Sequence, residues 1–265
     1  MRKRFWWITC ALLAFSVTMI SWRAETSKTY TATITKAGRH SSRELFSQYV
    51  TEIYNTAQLN DAGLDMAVFQ KAVTGYFNLK AAGKVPQYSS VITIVDLAKS
   101  SCAKRMWIVD LINKDLLVNT WVAHGNGSGD DIPYHFSNDR DSYASSLGFY
   151  VTDGVYNGKH GRSLKLDGMD AGFNDNARTR SIVIHGAKYV SPGTINVLGR
   201  LGHSEGCPAV SPKMVDKVIN TIKGKSVLFI NGNDYSYTSK YLDEDVAINY
   251  VYPGSGANRS ENASL

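Results

Sequence analysis

The residue best placed for chemistry in this sequence is a cysteine in the segment HSEGCPAV, residues 203–210. Cys207 lies in a polar, glycine-punctuated loop, and His185 ends the apolar run SIVIHG 22 residues before it. A thiol attacks as the thiolate, and because its ordinary pKa is near ~8.5, efficient attack at neutral pH needs a neighbouring base. An imidazole, with a pKa of about 6.5, can take that proton and return it to a leaving amine. The two residues therefore predict a cysteine nucleophile with His185 as its base.

Two glycines beside this pair suit a reaction centre. Gly206 leaves the amide of Cys207 open to face an oxyanion, and Gly186, directly after the histidine, lets a substrate backbone approach closely. The competing interpretation of Cys207 is a buried structural thiol, which fits an apolar strand better than this polar loop. Cys102 suits that structural role better. A disulfide joining the two cysteines is a further alternative, and it would block the nucleophile.

Strands that position these residues are predicted from residue 91 onward, where β-branched and aromatic residues dominate. The segments are VITIVDL, KRMWIVDL, DLLVNTWVAHG, LGFYVTD, SLKLDG, RSIVIHG and SVLFING. Apolar residues at three- and four-residue steps predict two earlier helices, in RELFSQYVTEIYNTA and GLDMAVFQKAVTGYFNLKAAG. A late helix is predicted over residues 212–223, with Ser211 as its N-cap and Pro212 at its first position.

Charge is concentrated at the N-terminus. The formal net charge is +6, but Arg2, Lys3, Arg4 and Arg23 supply four of these charges and no acid occurs before residue 25. The rest of the chain is close to neutral, which argues against a nucleic-acid partner. A basic cluster followed by the apolar run over residues 5–20 is typical of a secretory signal. The chain is therefore expected to be exported to the cell envelope, and it contacts the membrane only if this segment stays uncleaved.

Neither a metal nor a cofactor is expected. The histidines at 40, 124, 135, 160, 185 and 203 show no three- to five-residue spacing of the kind that a helical or knuckle-type zinc site uses. GNGSG, residues 125–129, lacks the following Gly-Lys-Ser/Thr of a phosphate loop and also fails the dinucleotide fingerprint.

The motif His-Gly, a gap, and then Ser-x-Gly-Cys resembles the catalytic signature of the bacterial L,D-transpeptidase (YkuD-like) family. SSLGFYVTD, residues 145–153, is similar to the loop and strand that precede the catalytic half in that family, and GCPAV resembles a branch with Pro-Ala after the cysteine. By position, the resemblance implies that Cys207 is the nucleophile and His185 its base. It also implies that Ser204 and the amides near Gly206 and Cys207 orient the thiol and hold the oxyanion.

The activity that the resemblance implies is an exported cysteine acyltransferase, a carbapenem target, acting on peptidoglycan stem peptides with release of D-alanine. The acceptor of the acyl group is an amine of a neighbouring stem, an amine of an envelope protein, or water. Water as acceptor makes the chain an L,D-carboxypeptidase or a peptidoglycan hydrolase, and the sequence does not separate transfer from hydrolysis. A third hypothesis is a non-catalytic wall-binding module.

The sequence departs from the family pattern at two positions beside the cysteine. Glu205 stands where many members have a basic residue, and a carboxylate close to the thiol raises its pKa. Ala209 stands where many members have an arginine thought to hold a substrate carboxylate. The candidates for substrate binding are therefore the arginines and histidines elsewhere in the catalytic segment: Arg200, Arg178, Arg180, His124 and His203.

The resemblance covers residues 91–232 and implies a β-rich α+β fold, with two packed sheets or a partly closed barrel and an N-terminal helical hairpin. The predicted organisation of the chain is a signal peptide or anchor (1–24), a linker (25–42), the helical hairpin (43–90), the catalytic domain (91–232) and a C-terminal extension (233–265). The extension is expected to be only partly ordered at its end.

Overall fold

The computed structural model describes residues 41–253, so the predicted export signal and almost all of the predicted linker lie outside the described residues. Within this range there are five α-helices: α1 Ser42–Thr56, α2 Met66–Ala81, α3 Pro192–Leu198, α4 Val215–Ile222 and α5 Glu244–Val251. No helix of this part of the chain is both long and apolar enough to cross a bilayer.

The first two helices begin where side chains satisfy their free backbone amides. Ser41 forms a capping box with Glu44, because its hydroxyl accepts from the Glu44 amide and the Glu44 carboxylate accepts from the Ser41 amide. The Asp65 carboxylate accepts from the amide of Ala67 at the start of α2. The two helices predicted before residue 91 are therefore present.

Eight strands form one sheet among the described residues: β1 Val91–Asp96, β2 Met106–Asp110, β3 Asp115–Thr120, β4 Gly148–Gly158, β5 Gly161–Gly168, β6 Val183–Gly186, β7 Ala209–Val210 and β8 Val227–Asn231. Their order is β3-β2-β1-β8-β4-β5-β6-β7. The pairs β1–β8 and β6–β7 are parallel and the others are antiparallel. Ala123, beyond β3, bridges to Ala209 of β7, so the two edges meet. The fold is a strand-rich α+β fold with one nearly closed, barrel-like sheet, as predicted.

The alternation of side chains along the strands fills two hydrophobic cores. Phe149 of β4 and Phe229 of β8 face the core beneath α1, α2 and α5, where their rings stack at 4.5 Å between centroids. Their neighbours Tyr150 and Leu228 face the second core, which α4 covers with Val218, Ile219 and Ile222. The sheet thus packs against helices on both of its faces.

In the last third of the chain, one predicted helix has a different start and one helix was not predicted. The late helix begins at Val215, because residues 212–214 form a turn in which the Ser211 carbonyl accepts from the amides of Met214 and Val215. The C-terminal extension contains the helix α5, which was not predicted. Asp243 caps α5, and the buried residues Ala247 and Ile248 belong to the core that α2 covers.

Candidate active site

A cleft of about 670 Å³ brings together side chains from four loops and strand ends. The segment 203–207 supplies His203, Ser204, Glu205 and Cys207, and the approach to β6 supplies Thr179, Arg180, Ser181, Val183 and His185. The β4–β5 hairpin supplies Tyr156, Lys159 and His160, and the loop 139–143 supplies Arg140, Asp141 and Tyr143. Asn126 and Tyr189 complete the lining. The predicted nucleophile and the predicted base therefore face one cavity.

The nucleophile loop is shaped by the hydroxyl of Ser204. This hydroxyl donates to the carbonyl of Cys207 at 2.6 Å and accepts from the amide of Gly206 at 3.1 Å, closing a tight turn. Gly206 has a φ of +113°, and a Cβ there would lie 2.8 Å from the carbonyl oxygen of Ala144. Both the backbone angle and the close approach require glycine. Ser204 thus fixes the shape of the loop that carries the Cys207 thiol.

The oxyanion prediction needs one correction. Because the Gly206 amide is already bonded to Ser204, it is not available to a substrate oxygen. Within residues 41–253 the amides of Glu205 and Cys207 donate to no acceptor, so both remain free in this turn. The position expected for an oxyanion is therefore beside the Cys207 amide, and the Gly206 amide does not contribute.

The Cys207 thiol is half-buried and uncrosslinked. Its sulfur accepts from the amide of Val183 at 3.4 Å and lies 3.7 Å from the carbonyl oxygen of Ser181. Burial raises the pKa of the thiol, and the carboxylate of Glu205 raises it further. The Val183 amide and the Arg180 guanidinium act in the opposite direction on this pKa. Cys102 and Cys207 are both free thiols, so the structure contains no disulfide between them.

His185 is fixed in one tautomer by the backbone. Its Nδ1 lies 3.1 Å from the carbonyl oxygen of Gly186, and because a carbonyl only accepts, Nδ1 carries the proton. Nε2 is then the unprotonated nitrogen that can receive a proton. Burial lowers the pKa of His185, and the charges of His160 and Lys159 lower it further. The imidazole is thus kept neutral, as a general base requires.

Gly186 serves a different purpose from the predicted one. A Cβ at this position would lie 3.2 Å from a methyl of Val215, and Gly186 is not part of the cleft lining. The absence of a side chain therefore makes room for the start of α4, whereas the prediction was an approach route for substrate.

His124 is buried behind the nucleophile loop, and it does not line the cleft. Arg105, itself fully buried, donates to His124 Nδ1 at 2.7 Å, so Nε2 carries the proton and donates to the Gly129 carbonyl. Burial, followed by the charge of Arg105, lowers the pKa of His124 to about 4. The His124 carbonyl in turn accepts from the amide of Ser204 at 2.9 Å. His124 therefore supports the loop, and the predicted substrate contact is wrong.

His203 does line the cleft, as part of a polar cluster at its edge. Its Nε2 lies 2.7 Å from the Asp130 carbonyl oxygen and its Nδ1 lies 3.2 Å from Asn126 Oδ1. Its ring lies 4.8 Å from that of His124. A place at the cleft edge is compatible with the predicted contact to substrate.

The three predicted arginines have different surroundings. Arg178 is partly exposed outside the cleft lining and bridges Asp153 and Asp167, so we withdraw it as a substrate-binding residue. Arg200 also lies outside the lining, 3.6 Å from Asp130, and is withdrawn for the same reason. Arg180 lines the cleft, but its two Nη atoms donate to the carbonyls of Ser137 and Ala144 at 2.7 Å each.

The β4–β5 hairpin carries a cleft residue, His160, that was not predicted from the sequence. Its tip, Gly158–Gly161, encloses the two residues Lys159 and His160, and the His160 ring stacks on His185 with 4.2 Å between centroids and 20° between planes. Lys159 lies 3.4 Å from the carboxylate of Glu205. From the sequence, His160 was assigned no role at the site. The Gly-Lys-His-Gly sequence between two strand patterns is a hairpin signal that could have indicated a projecting tip.

Backbone strain is concentrated at this cleft. Six described residues other than glycine have a positive φ, and three of them, Asp141, Tyr143 and Ser181, line the cavity. Such conformations are unfavourable for L-residues and persist where surrounding contacts impose them, often at functional sites. No group of three or more metal-ligating side chains occurs in residues 41–253.

Comparison with known proteins assigns the fold family. The family model of the L,D-transpeptidase catalytic domain matches residues 60–231. A search of curated proteins gives no match. Among solved structures, the chain is similar to an L,D-transpeptidase from Mycobacterium smegmatis, with 10% identity, a TM-score of 0.33, and coverage of 54% of this chain and 59% of that one.

Two further structures illustrate the range of similarity. A variant of the helical cell shape determining protein Pgp2 from Campylobacter jejuni is 13% identical, with a TM-score of 0.40 and coverage of 66% and 61%. An L,D-transpeptidase from Stackebrandtia nassauensis is 15% identical, with a TM-score of 0.32 and coverage of 64% and 69%. The match spans about three fifths of the length of the Mycobacterium smegmatis structure. Because the family model covers well over half of its residues, the chain belongs to the L,D-transpeptidase catalytic domain family.

Proposed function

We propose that this protein is an exported cysteine acyltransferase that acts on peptidoglycan stem peptides. The observation that carries the proposal is the pairing, in one cleft, of a half-buried free thiol with a neutral imidazole whose Nε2 is available. Membership of the L,D-transpeptidase family supports peptidoglycan as the substrate class. Export is part of the proposal, and it rests on the N-terminal sequence pattern alone.

The first chemical step forms an acyl-enzyme. His185 Nε2 takes the proton of the Cys207 thiol as the sulfur attacks the carbonyl carbon of the diamino acid at its L-centre. The Cys207 amide stabilises the negative charge that develops on the carbonyl oxygen. The carbon–nitrogen bond to D-alanine then breaks, and the imidazolium returns its proton to the leaving amine. The products of this step are a thioester on Cys207 and free D-alanine.

The second step transfers the acyl group. An acceptor amine, activated by the neutral His185, attacks the thioester carbonyl, the carbon–sulfur bond breaks, and the thiol is regenerated with the acceptor's proton. An amine of a neighbouring stem gives a cross-link and an amine of an envelope protein gives an anchored protein. Water as the acceptor gives hydrolysis by the same residues.

Release of D-alanine from a tetrapeptide stem tests this proposal under reducing conditions. The full chain and the Cys102→Ala variant are expected to release D-alanine, whereas Cys207→Ala is expected to lose at least ~10³-fold in rate because the covalent step is removed. The second product, either a cross-linked dimer or a tripeptide, separates transfer from hydrolysis. Equal release by Cys207→Ala and the parent chain would contradict the mechanism. No release by any variant would favour a non-catalytic wall-binding module.

A further inference from the structure

A second polar cavity, which we call the strand-end groove, lies where two parallel strands end. It has a volume of about 460 Å³ and shares no lining residue with the cleft that contains Cys207. The strands β1 and β8 are parallel, and their last residues, Asp96 and Asn231, line the groove together with the start of α2 and residues 232–235. Crevices beyond the carboxyl ends of parallel strands are frequent ligand sites, because polar groups there stand on a rigid support.

Asp96 directs one free carboxylate oxygen at this groove although the residue is only 3% exposed. Its Oδ1 accepts from the amide of Ala98 at 3.2 Å and from Nδ2 of Asn231 at 2.8 Å. Its Oδ2 accepts from no group in the described part of the chain, and it is not among the sealed side-chain oxygens that lack a partner there, those of Asn78 and Thr93. Asp96 is therefore a fixed acceptor that a ligand can reach through the groove.

Other polar groups of the groove are also available to a ligand. The side chains of Lys71 and Asn233 form no hydrogen bond or ion pair within residues 41–253. Asp65 uses Oδ1 to cap α2, which leaves its Oδ2 free. Three carboxylates and two ammonium groups line the groove, so their charges nearly balance and give no strong field that would select an ion. No three metal-ligating side chains converge in this part of the chain, which argues against a cation as the ligand.

Tyr235 adds a fully exposed aromatic ring to the lining of the groove. The turn that carries it is fixed by the Asp234 carboxylate, which accepts from the amide and the hydroxyl of Ser236 at 2.8 and 2.6 Å. The face of an aromatic ring is electron-rich, so it attracts C–H groups that neighbouring oxygen atoms polarise, as in a sugar ring. The segment that the family model matches ends at residue 231, before Asn233 and Tyr235, so family membership does not supply this groove.

From this arrangement we infer that the strand-end groove binds a neutral saccharide, with one pyranose ring packed on Tyr235. A hydroxyl or acetamido N–H of the saccharide donates to Asp96 Oδ2, and Lys71 and Asn233 donate to its oxygen atoms. Such a ligand matches the acceptor, the donors and the aromatic face together. An ion or a purely apolar ligand leaves most of these groups without a partner.

The inference rests on the proposed function for the source of this saccharide. Peptidoglycan stems are attached to strands of N-acetylated pyranose rings, so an enzyme that acts on the stems meets the glycan at the same time. Because the groove and the Cys207 cleft are separate cavities, the glycan and the reacting stem can be bound together. Binding of the strand then raises the concentration of stems at the cleft.

Calorimetric titration of the full chain with chitotriose, a neutral trimer of N-acetylated glucose, tests the groove. We expect saturable binding that Tyr235→Ala weakens by roughly fivefold or more, because the stacking face is lost. Tyr235→Phe keeps the ring and is expected to bind within about twofold of the parent chain. Asp96→Asn is expected to weaken binding by roughly fivefold, because a charge-assisted hydrogen bond becomes a neutral one. If Asp96→Asn does not fold, the two Tyr235 variants decide.

Tyr88→Ala is the matched control, because Tyr88 is also largely exposed but lines neither cavity. This variant is expected to bind chitotriose as the parent chain does. Backbone amide shifts in NMR spectra locate the ligand, and we expect changes at residues 96–99 and 231–235. Absence of binding, equal binding by Tyr235→Ala and the parent chain, or shift changes confined to the Cys207 cleft would overturn the inference.

Binding of chitotriose requires no turnover, so its outcome is independent of D-alanine release. If the full chain releases D-alanine from a tetrapeptide but does not bind chitotriose, the groove inference fails and the proposed function stands. If the chain binds chitotriose at the groove but releases no D-alanine, the proposed function fails and the groove inference stands.

Discussion

At the scale of single residues, the pKa values of the two proposed reacting groups are shifted in the directions that favour their neutral forms. Burial raises the pKa of the Cys207 thiol and lowers that of the His185 imidazole. Both shifts disfavour a thiolate–imidazolium pair before substrate arrives. We therefore expect the proton to move from sulfur to Nε2 as the sulfur attacks, so that His185 acts as a general base and not as the counter-ion of a preformed thiolate.

Glu205 and Lys159 are expected to shift the reactivity of Cys207 in opposite directions. Glu205→Gln lowers the thiol pKa by removing a nearby negative charge, and Lys159→Gln raises it by removing a positive one. Both side chains are largely exposed, so the loss of their ion pair costs at most about 1 kcal/mol of stability. The rate of Cys207 alkylation by iodoacetamide against pH, read by peptide mass mapping, measures the pKa. Shifts of the same sign in both variants would contradict this electrostatic account.

Replacing His160 by phenylalanine is expected to move the acid limb of the pH–rate profile to higher pH. The ring stack is kept, but the charge that lowers the pKa of His185 is lost. Because its pKa is lowered, His185 of the parent chain stays neutral at pH values below the ordinary imidazole pKa of about 6.5. In His160→Phe the pKa of His185 is closer to that ordinary value, so the base becomes protonated at a higher pH. The readout is kcat/KM for D-alanine release between pH 4.5 and 8, the range that brackets ~6.5. If the acid limb stays where it is or moves to lower pH, His160 does not lower the pKa of His185.

At the scale of elements, the turn that carries the proposed nucleophile is shaped by glycine and by a segment that pairs with it. Gly206 lies against the carbonyl of Ala144, and a Cβ on Gly125 would overlap the backbone of Gly206 and of Tyr143. The segment around Gly125 also bridges to Ser204. The position of the thiol therefore depends on two backbone stretches packed without side chains between them.

Gly206→Ala is expected to destabilise the protein more than Gly224→Ala does. Both glycines have a positive φ, but a Cβ at Gly224 meets nothing within 4 Å. Gly224→Ala then reports the backbone strain alone, roughly 1–2 kcal/mol. Gly206→Ala adds overlap with the Ala144 carbonyl, roughly a further 1–3 kcal/mol. Urea unfolding gives both values, and equal losses would mean that the turn accommodates the methyl group freely.

How far such elements can be predicted depends on where their contacts lie. The strands were predictable because β-branched and aromatic residues mark each of them within its own sequence, and His185 followed because it lies at the end of one of them. His160 and Arg140 were not recognised, since a hairpin tip and a loop reach the cleft only through tertiary contacts. Gly186 was misinterpreted because its neighbour Val215 is distant in sequence. The motif could indicate the nucleophile and base, but not the loops that complete the cleft.

At the scale of the whole molecule, helices on both faces of the sheet support the cleft. The family model spans residues 60–231, so it leaves out α1 and α5, which contribute Phe46, Val50 and Ile248 to the core beneath α2. Buried polar groups join the cleft to this framework as well. Arg105, on the approach to β2, orients His124, and the His124 backbone holds Ser204.

The buried His124 is expected to make the stability of the protein pH-dependent. Its pKa of about 4 in the folded chain lies below the ordinary value of 6.5, so the unfolded chain binds the proton first as pH falls. Its contribution is complete above pH 6.5 and is lost between 6.5 and about 4, amounting to up to roughly 3 kcal/mol. Urea unfolding across this range measures the slope. If the free energy of unfolding falls as steeply with pH in His124→Gln as in the parent chain, the pH dependence comes from other groups.

The most direct test of the central claim, a cysteine acyl-enzyme formed with help from His185, is intact-mass analysis of rapidly quenched reactions with a tetrapeptide stem. We expect the full chain to gain the mass of the tetrapeptide minus D-alanine, with the added group mapped to Cys207. The adduct should be absent in Cys207→Ala, retained in Cys102→Ala, and formed at least ~10²-fold more slowly in His185→Gln. Release of D-alanine with no covalent adduct at any quench time, or an adduct on Cys102, would contradict the account.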